Sequence, residues 1–238
     1  MTPSAILFDK DGTLLDFDAF WVSVSVKALE EVLAHFHCPH VPINEILEAF
    51  GVHDGVTDID GVLCKGTYRQ MGELVYDVLH SYGCTADVEE VVTTVIHAYN
   101  CNTDSGTIQP TSTGLAEVLA VLKKRGIKLA VVTTDNEQIT RKCLKALAIE
   151  SLFDAIYTDD GHTPTKPDPF CALDFCQKYG VLPENACMVG DTMTDVKFAR
   201  NAGMPVVILA KTPKSRERMM PVADQTISEL SELLDLIR

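Results

Sequence analysis

Apolar residues along this chain recur with two different periods, and the change of period predicts two bodies. Apolar runs rich in β-branched residues predict strands at Ala5 to Asp9, Lys128 to Thr134, Phe153 to Tyr157, Ala186 to Asp191, Pro205 to Leu209 and, more briefly, residues 224–227. Apolar residues at helical spacing lie between these runs, for example over residues 114–125, 168–179 and 195–202. Strands that alternate with helices predict an α/β fold with a layered, parallel sheet.

The second body is predicted between the first strand and the rest of the core. Apolar residues follow helical spacing over residues 19–36, 43–50, 68–82 and 87–98, and no convincing strand interrupts them. We therefore divide the chain into a core, residues 1–17 and 109–238, and a helical insertion with its hinges, residues 18–108. The Gly- and Asp-rich loop of residues 51–67 has a length that is usually functional or mobile between helices.

Two carboxylates follow the first predicted strand, in the run Asp9-Lys10-Asp11-Gly12-Thr13. In an extended segment alternate side chains project to the same side, so we expect Asp9 and Asp11 to share a cavity and Lys10 to point away from it. Gly12 frees the backbone to turn. Paired carboxylates suit a hard cation such as Mg²⁺. Taken alone, this short motif is better explained by an acidic turn after an edge strand.

Three further stretches carry chemistry in the same kind of setting. Thr133 and Thr134 end an apolar strand and open a helix, where hydroxyl and backbone N–H groups form phosphate sites. Lys166 lies beside two prolines that keep it out of helix, so it can act as a fixed point charge for phosphate. A buried strand delivers Asp191 at its end, and Asp195 follows one helical turn later.

Each of these stretches also has a plain structural explanation. The threonines could cap the following helix, Lys166 could be an exposed loop lysine, and Asp191 or Asp195 could stabilise a helix start. These explanations do not account for the order of the motifs or for their common position at strand ends, the edge at which open parallel sheets bind ligands.

The four motifs together resemble those of the haloacid dehalogenase superfamily, in its phosphatase-like members with an inserted helical cap. The resemblance covers most of the chain and implies a Rossmann-like core and Mg²⁺ as cofactor. It implies that Asp9 is the nucleophile that becomes an aspartyl-phosphate, and that Asp11 is the general acid and then the base. The implied phosphate-binding residues are Thr133, Thr134 and Lys166, and the implied magnesium ligands are Asp9, Asp11, Asp191 and Asp195, the last as an outer ligand or orienter.

Asp11 argues for phosphate esters, because the dehalogenases and phosphonatases of this family lack an acid at that position. The leading function is therefore a Mg²⁺-dependent phosphatase acting on a small phosphorylated metabolite. A β-phosphoglucomutase-like phosphomutase and a catalytically idle phosphate-binding module are the alternatives; Thr13 weighs against the mutase, which often has valine there. Asp135 is a departure from the family pattern, since it adds negative charge near the phosphate site unless it faces away and caps the next helix.

Composition limits the partners of this protein. The sequence has 238 residues with 34 acidic and 20 basic side chains, a net charge of −14, which disfavours nucleic acid and anionic membranes. No apolar stretch reaches about 18 residues and the N-terminus enters a core strand at once, so we expect a cytoplasmic protein, monomeric or homodimeric. In the insertion, Lys65, Thr67 and Arg69 are candidates for binding a second anionic group of the substrate, against the alternative of simple exposure.

The eight cysteines show no C-x₂-C spacing, so we expect reduced thiols rather than a disulfide framework. Cys143, Cys171 and Cys187 lie in apolar patterns and are expected to be buried.

Overall fold

The computed structural model describes residues 2–237, which form two compact units. The first unit combines the segment up to Asp16 with the segment from Ile108 onward, and the second is the inserted segment Phe17–Thr107. The chain therefore leaves the first unit after its first strand and returns about ninety residues later. Within the described residues, no helix is both long and apolar enough to cross a membrane.

The inserted unit is built from helices. They are α1 Ser23–His35, α2 Ile43–Ala49, α3 Val62–Lys65, α4 Tyr68–Ser81 and α5 Val88–Asn102, with a π-helical turn at Asp18–Val22 and a 3₁₀ turn at Thr103–Ser105. Helix α5 packs against both α1 and α4. Within each helix the buried apolar side chains recur three or four residues apart, as Val91, Val95 and Ala98 do in α5, which is the helical period that the sequence showed.

A small β-hairpin in the inserted unit contradicts the expectation of an insertion without strands. Val52–His53 and Val56–Thr57 pair antiparallel across Asp54 and Gly55, which both have positive φ angles. Asp-Gly is a preferred pair for a tight hairpin turn because both central residues of that turn need positive φ. The dipeptide was the signal for this hairpin, and strands of two residues are too short to show a period.

A disulfide in the inserted unit contradicts the expectation that all eight cysteines are reduced. Cys38, which follows α1, is bonded to Cys84, which follows α4; the two cysteines are 46 positions apart in sequence. Helix packing brings these two chain segments together, so their spacing along the chain gave no indication of the bond. Six cysteines are free, and the predicted burial of Cys143, Cys171 and Cys187 is confirmed.

The first unit is organised around one six-stranded parallel sheet, as the sequence predicted. Its strands are β1 Ala5–Phe8, β2 Lys128–Asn136, β3 Ala155–Asp159, β4 Ala186–Gly190, β5 Val206–Leu209 and β6 Gln225–Ile227. The order across the sheet is β3-β2-β1-β4-β5-β6, and every neighbouring pair is parallel. The strand order changes direction at β1, and in open parallel sheets such a switch point is the usual place for a ligand site.

The helices that connect these strands bury the sheet. They are α6 Leu115–Lys124, α7 Glu137–Ala146, α8 Phe170–Tyr179, α9 Met193–Ala202, α10 Pro213–Met219 and α11 Leu233–Leu236, with 3₁₀ turns at Glu150–Leu152, Pro183–Asn185 and Leu230–Glu232. Alternate residues of the central strands, such as Ile6, Phe8 and Val189, pack with Leu119 of α6 and Leu233 of α11 in one apolar cluster. The central strands are therefore held rigidly, and so are the residues that follow them.

Candidate active site

The register of the sheet brings the predicted site residues of two strands side by side. Phe8 at the end of β1 pairs with Val189 of β4, and the backbone N–H of Asp9 donates to the Val189 carbonyl over 2.9 Å. Asp9 is the first residue after β1 and Asp191 the first after β4, and all residues of both strands are buried. The two carboxylates thus emerge next to each other from the carboxyl edge of the sheet.

Three buried or half-buried carboxylates form a cluster at this edge. Oxygen atoms of Asp9, Asp191 and Asp195 all lie within 4.8 Å of one another. Burial raises the pKa of Asp9 to about 7, with Lys166 opposing the rise and Asp195 and Asp11 adding to it. Burial and the charges of Asp9 and Asp195 also raise the pKa of Asp191 well above its ordinary value. The negative charges of neighbouring carboxylates repel one another, so ionising all of them is costly. A hard divalent cation bound to their oxygens would relieve this repulsion, so the cluster fits such an ion.

Lys166 joins two of these carboxylates. Its Nζ donates to Oδ1 of Asp9 over 2.6 Å and to Oδ1 of Asp195 over 2.7 Å, and its side chain is only 4% exposed. Burial favours the neutral amine, but the carboxylates of Asp195 and Asp9 outweigh this effect and raise the pKa of Lys166. Lys166 is therefore a fixed cation beside Asp9, and the alternative of an exposed loop lysine is wrong.

Asp195 is held at both oxygens. While Oδ1 accepts from Lys166, Oδ2 accepts from the hydroxyl and the backbone N–H of Thr192, over 2.7 and 3.0 Å. Thr192 immediately precedes α9, so the same bonds complete the start of that helix. These hydrogen bonds fix the direction of the Asp195 carboxylate.

Asp191 has a close partner that the sequence reasoning did not assign. The hydroxyl of Thr13, which is fully buried, donates to Oδ1 of Asp191 over 3.1 Å. Gly12 makes this approach possible, because it has a φ of +79° and a Cβ at this position would lie 2.6 Å from Cγ of Asp191. The Gly-Thr pair after Asp11 was visible in the sequence, but only the fold shows which carboxylate it contacts.

Lys10 and Asp11 depart from the expected arrangement. Strand β1 ends at Phe8, so strict alternation does not continue to Asp11, and Lys10 does not point away from the acidic residues. Its Nζ lies 2.7 Å from Oδ1 of Asp11 and 3.0 Å from Oδ2 of Asp135. The carboxylate of Asp11 is thus engaged by Lys10 rather than placed in the three-carboxylate cluster, and its predicted role as a magnesium ligand stays a prediction.

Asp135 pairs with Lys10 instead of capping the next helix. The cap of α7 is Asn136, whose side chain accepts from the backbone N–H of Ile139 over 2.9 Å. The expected alternative, in which Asp135 faces away as the cap, is therefore wrong. The available signal was the simultaneous presence of a lysine and an extra aspartate at the ends of neighbouring strands, since a buried charge needs a partner.

The two predicted phosphate-binding threonines differ in environment. Thr133 is buried near the end of β2, and its hydroxyl accepts from the backbone N–H of Asp135 over 3.1 Å, whereas Thr134 is exposed. Neither hydroxyl caps α7. Their binding of phosphate stays a prediction.

The three candidates in the inserted unit have local partners there. Lys65 forms an ion pair with Asp60, and Arg69 forms ion pairs with Glu89 and, over 3.4 Å, with Glu73. Thr67 is the cap of α4: its hydroxyl accepts from the backbone N–H of Gln70 over 3.2 Å, and Gln70 accepts from the Thr67 N–H over 2.9 Å. These side chains are therefore engaged in local ion pairs and a helix cap. Their contact with substrate stays a prediction.

Comparison with known proteins identifies the family. The family model of the haloacid dehalogenase-like hydrolases matches residues 3–203. The chain therefore belongs to this family of hydrolases. The family resemblance inferred from the four motifs is confirmed, and so is the prediction that the chain is an enzyme.

Individual relatives are named as phosphatases. The phosphoglycolate phosphatase of Thiobacillus denitrificans is 33% identical over 111 residues, which are 47% of this chain and only about half, 48%, of that protein. The pyrophosphatase PpaX of Bacillus mycoides is 26% identical over an alignment of 248 residues that covers 100% of this chain and 98% of that protein. Among solved structures, magnesium-bound YfnB of Bacillus subtilis has a TM-score of 0.71 at 20% identity, with 100% of both chains covered. At this identity the likeness to YfnB shows the fold alone.

Proposed function

We propose that this chain is a Mg²⁺-dependent phosphatase that hydrolyses a small phosphorylated metabolite through an aspartyl-phosphate intermediate. The observation that carries the proposal is the cluster of the Asp9, Asp191 and Asp195 carboxylates, whose oxygens lie within 4.8 Å of one another, with buried Lys166 bridging Asp9 and Asp195. The phosphatase names of the relatives and the magnesium in the YfnB crystal support it.

Asp9 is the proposed nucleophile. Its carboxylate attacks phosphorus, the phosphorus–oxygen bond to the leaving alcohol breaks, and a phosphorylated Asp9 results. Lys166 fixes one oxygen of Asp9 and supplies positive charge where the phosphoryl oxygens gather, which is the main requirement of phosphoryl transfer. The position of Asp9 on a buried, fully paired strand end gives the attacking oxygen a defined orientation.

The three carboxylates would hold Mg²⁺, and the ion would supply charge neutralisation for the phosphoryl group. Thr13 orients Asp191 in this set, and Thr192 with Lys166 orients Asp195. These hydrogen bonds fix the ligand carboxylates from behind, as the outer partners of metal ligands usually do.

Asp11 is the proposed general acid and base. Two residues beyond the nucleophile, its carboxyl group would protonate the leaving oxygen, and its carboxylate would then take a proton from the water that hydrolyses phosphorylated Asp9. Splitting hydrolysis into two such steps replaces one difficult displacement by two easier ones.

Residues of the inserted unit are the proposed source of substrate selectivity. Lys65 and Arg69 carry the positive charge that could recognise a second anionic group, but each is paired with carboxylates in the structure. A substrate anion would therefore have to displace Asp60 or Glu89. The double variant Lys65→Ala/Arg69→Ala should change the order of hydrolysis rates among phosphorylated metabolites. The change should be larger than any change in the rate of hydrolysis of a small generic ester.

The decisive experiment measures phosphate release from p-nitrophenyl phosphate, phosphoglycolate and pyrophosphate, with Mg²⁺ or with EDTA. Steady release that EDTA abolishes is the expected result. The Asp9→Asn variant should lose at least about 10³-fold in rate, because a neutral amide does not attack phosphorus. Asp224→Asn is the matched control, since Asp224 is also an ion-paired aspartate of the first unit but lies outside the carboxylate cluster.

Three outcomes would contradict the proposal. Unchanged turnover in Asp9→Asn would remove Asp9 as nucleophile, and full activity in EDTA would remove the metal requirement. Absence of any phosphate release with Mg²⁺ would favour the binding module, and transfer of the phosphoryl group to a sugar instead of water would favour the mutase.

A further inference from the structure

A second group of charges lies next to the carboxylate cluster, and the mechanism described above does not use two of its members. Lys10 is fully buried, and its ammonium group lies between the carboxylates of Asp11 and Asp135, 2.7 and 3.0 Å away. Fully buried lysines are rare unless they are paired. This lysine therefore occupies its position because two carboxylates meet it there.

The charge state of this group follows from its surroundings. Two carboxylate oxygens within 3.0 Å of Nζ compensate the burial of the Lys10 ammonium group. The adjacent thiol of Cys143 on α7 adds no charge, because burial raises its pKa to about 11. Lys10 is thus the cation that links Asp11 to Asp135.

The backbone around Lys10 is fixed, whereas Asp11 lies beyond the end of its strand. The Lys10 carbonyl accepts from the backbone N–H groups of Leu14 and Leu15, both over 2.8 Å. Asp135 belongs to β2, which pairs with β1 on one side and β3 on the other. The Lys10 ammonium group is ion-paired with Asp135, which the sheet holds in place. Lys10 can therefore restrict the position of the Asp11 carboxylate, its other partner.

We propose that Lys10 and Asp135 are positioning residues for Asp11, with Asp135 acting through Lys10. This inference rests on the proposed function, in which Asp11 protonates the leaving oxygen. Proton transfer requires the acid within hydrogen-bond reach and correctly directed. The Lys10 ammonium group holds one oxygen of Asp11, so that the carboxyl group keeps one orientation relative to Asp9.

The test compares two esters that differ in their need for a proton. p-Nitrophenolate is a stable anion that leaves without protonation, whereas phenolate is more basic and needs the acid. The value of kcat/KM for each ester includes the departure of the alcohol from phosphorus. Loss of an oriented general acid should therefore lower kcat/KM far more for phenyl phosphate than for p-nitrophenyl phosphate.

The variants are Lys10→Met, Asp135→Asn and the double variant, with Asp11→Asn as the reference for complete loss of the acid. Lys123→Met is the control, because Lys123 forms an ion pair of similar length with Asp154, over 2.6 Å, in the same unit but outside the proposed site. We expect Lys10→Met and Asp135→Asn to lose at least about 10-fold more on phenyl phosphate than on p-nitrophenyl phosphate, in the same direction as Asp11→Asn. The double variant should be no worse than Lys10→Met, because residues that act through one another are not additive.

Circular dichroism identifies variants that fail to fold. If Lys10→Met does not fold, Asp135→Asn decides, since this change keeps the shape of the side chain and the lysine. Equal losses on both esters, or a double variant whose loss is the product of the two single losses, would overturn the inference. Selective loss in Asp11→Asn without selective loss in the Lys10 and Asp135 variants would overturn it while leaving the proposed function intact. A wild-type protein inactive on both esters would remove the proposed function and this inference together.

Discussion

Replacing Lys166 with methionine should destabilise the first unit more than the loss of a surface ion pair would. Methionine keeps the length and apolar part of the side chain, so the change removes chiefly the charge. The carboxylates of Asp9 and Asp195 then keep their buried positions without the ammonium group that bridges them.

The burial of the three groups sets the magnitude. The side chains of Lys166, Asp9 and Asp195 are 4%, 10% and 0% exposed, which excludes the regime of surface pairs worth about 0–1 kcal/mol. Removing one partner of a buried pair costs about 3–5 kcal/mol, because the remaining charge is unpaired. The same change at Lys123, whose side chain is 30% exposed, should cost about 1 kcal/mol or less.

The assay is urea unfolding at neutral pH, followed by far-ultraviolet circular dichroism, in EDTA and in excess Mg²⁺. Circular dichroism is needed because the single tryptophan, Trp21, lies in the inserted unit and does not report directly on the first. Mg²⁺ should stabilise Lys166→Met more than it stabilises the wild type, since the carboxylate cluster has lost its internal cation. A ligand present at about 100 times its dissociation constant adds about 2.7 kcal/mol.

Two results would refute this reasoning. One is a Lys166→Met protein that is as stable in EDTA as the Lys123→Met control. The other is a Mg²⁺ effect on Lys166→Met no larger than on the wild type, which would mean that the three carboxylates do not bind the ion as a group.

Three further changes test other parts of the structure. Gly190→Ala should cost about 1–3 kcal/mol and lower phosphatase activity, because the added Cβ would lie 2.6 Å from Oδ2 of Asp195; unchanged activity and urea midpoint would contradict this. Thr67→Ala should cost the inserted unit about 1 kcal/mol through the lost helix cap, and Thr67→Ser should retain the cap; Trp21 fluorescence during unfolding measures both. Burial acts to raise the pKa of Asp154, but hydrogen bonds from Lys123 and the backbone outweigh burial and lower this pKa. The Asp154 carboxylate therefore stabilises the fold at pH values above its unfolded pKa of about 3.9. This stabilisation is lost as the pH falls through the folded pKa. Asp154→Asn should therefore be about 1 kcal/mol less stable than wild type at neutral pH and equally stable in acid, and a difference that persisted in acid would assign the effect to packing.

The parallel sheet and the strand ends that carry the site were predictable from sequence. Apolar runs such as Ala5–Phe8 and Ala186–Gly190 are legible because strands buried on both faces require them, and Asp9 and Asp191 follow those runs directly. Lys166 was recognisable from its place beside two prolines in a family motif. These features depend on neighbouring residues, so a single sequence contains them.

Contacts between distant segments were decided only by the tertiary structure. The sequence determined which residue types stand at the strand ends, but the pairing of β1 with β2 decided that Lys10 meets Asp135, and the packing of the inserted helices decided that Cys38 meets Cys84. The direction of Lys10 was mispredicted because the alternation of side chains holds only within a strand, and β1 stops at Phe8. The partner of a buried charge is chosen by which chain segments the fold brings within a few ångströms, and no local period along the chain records that choice.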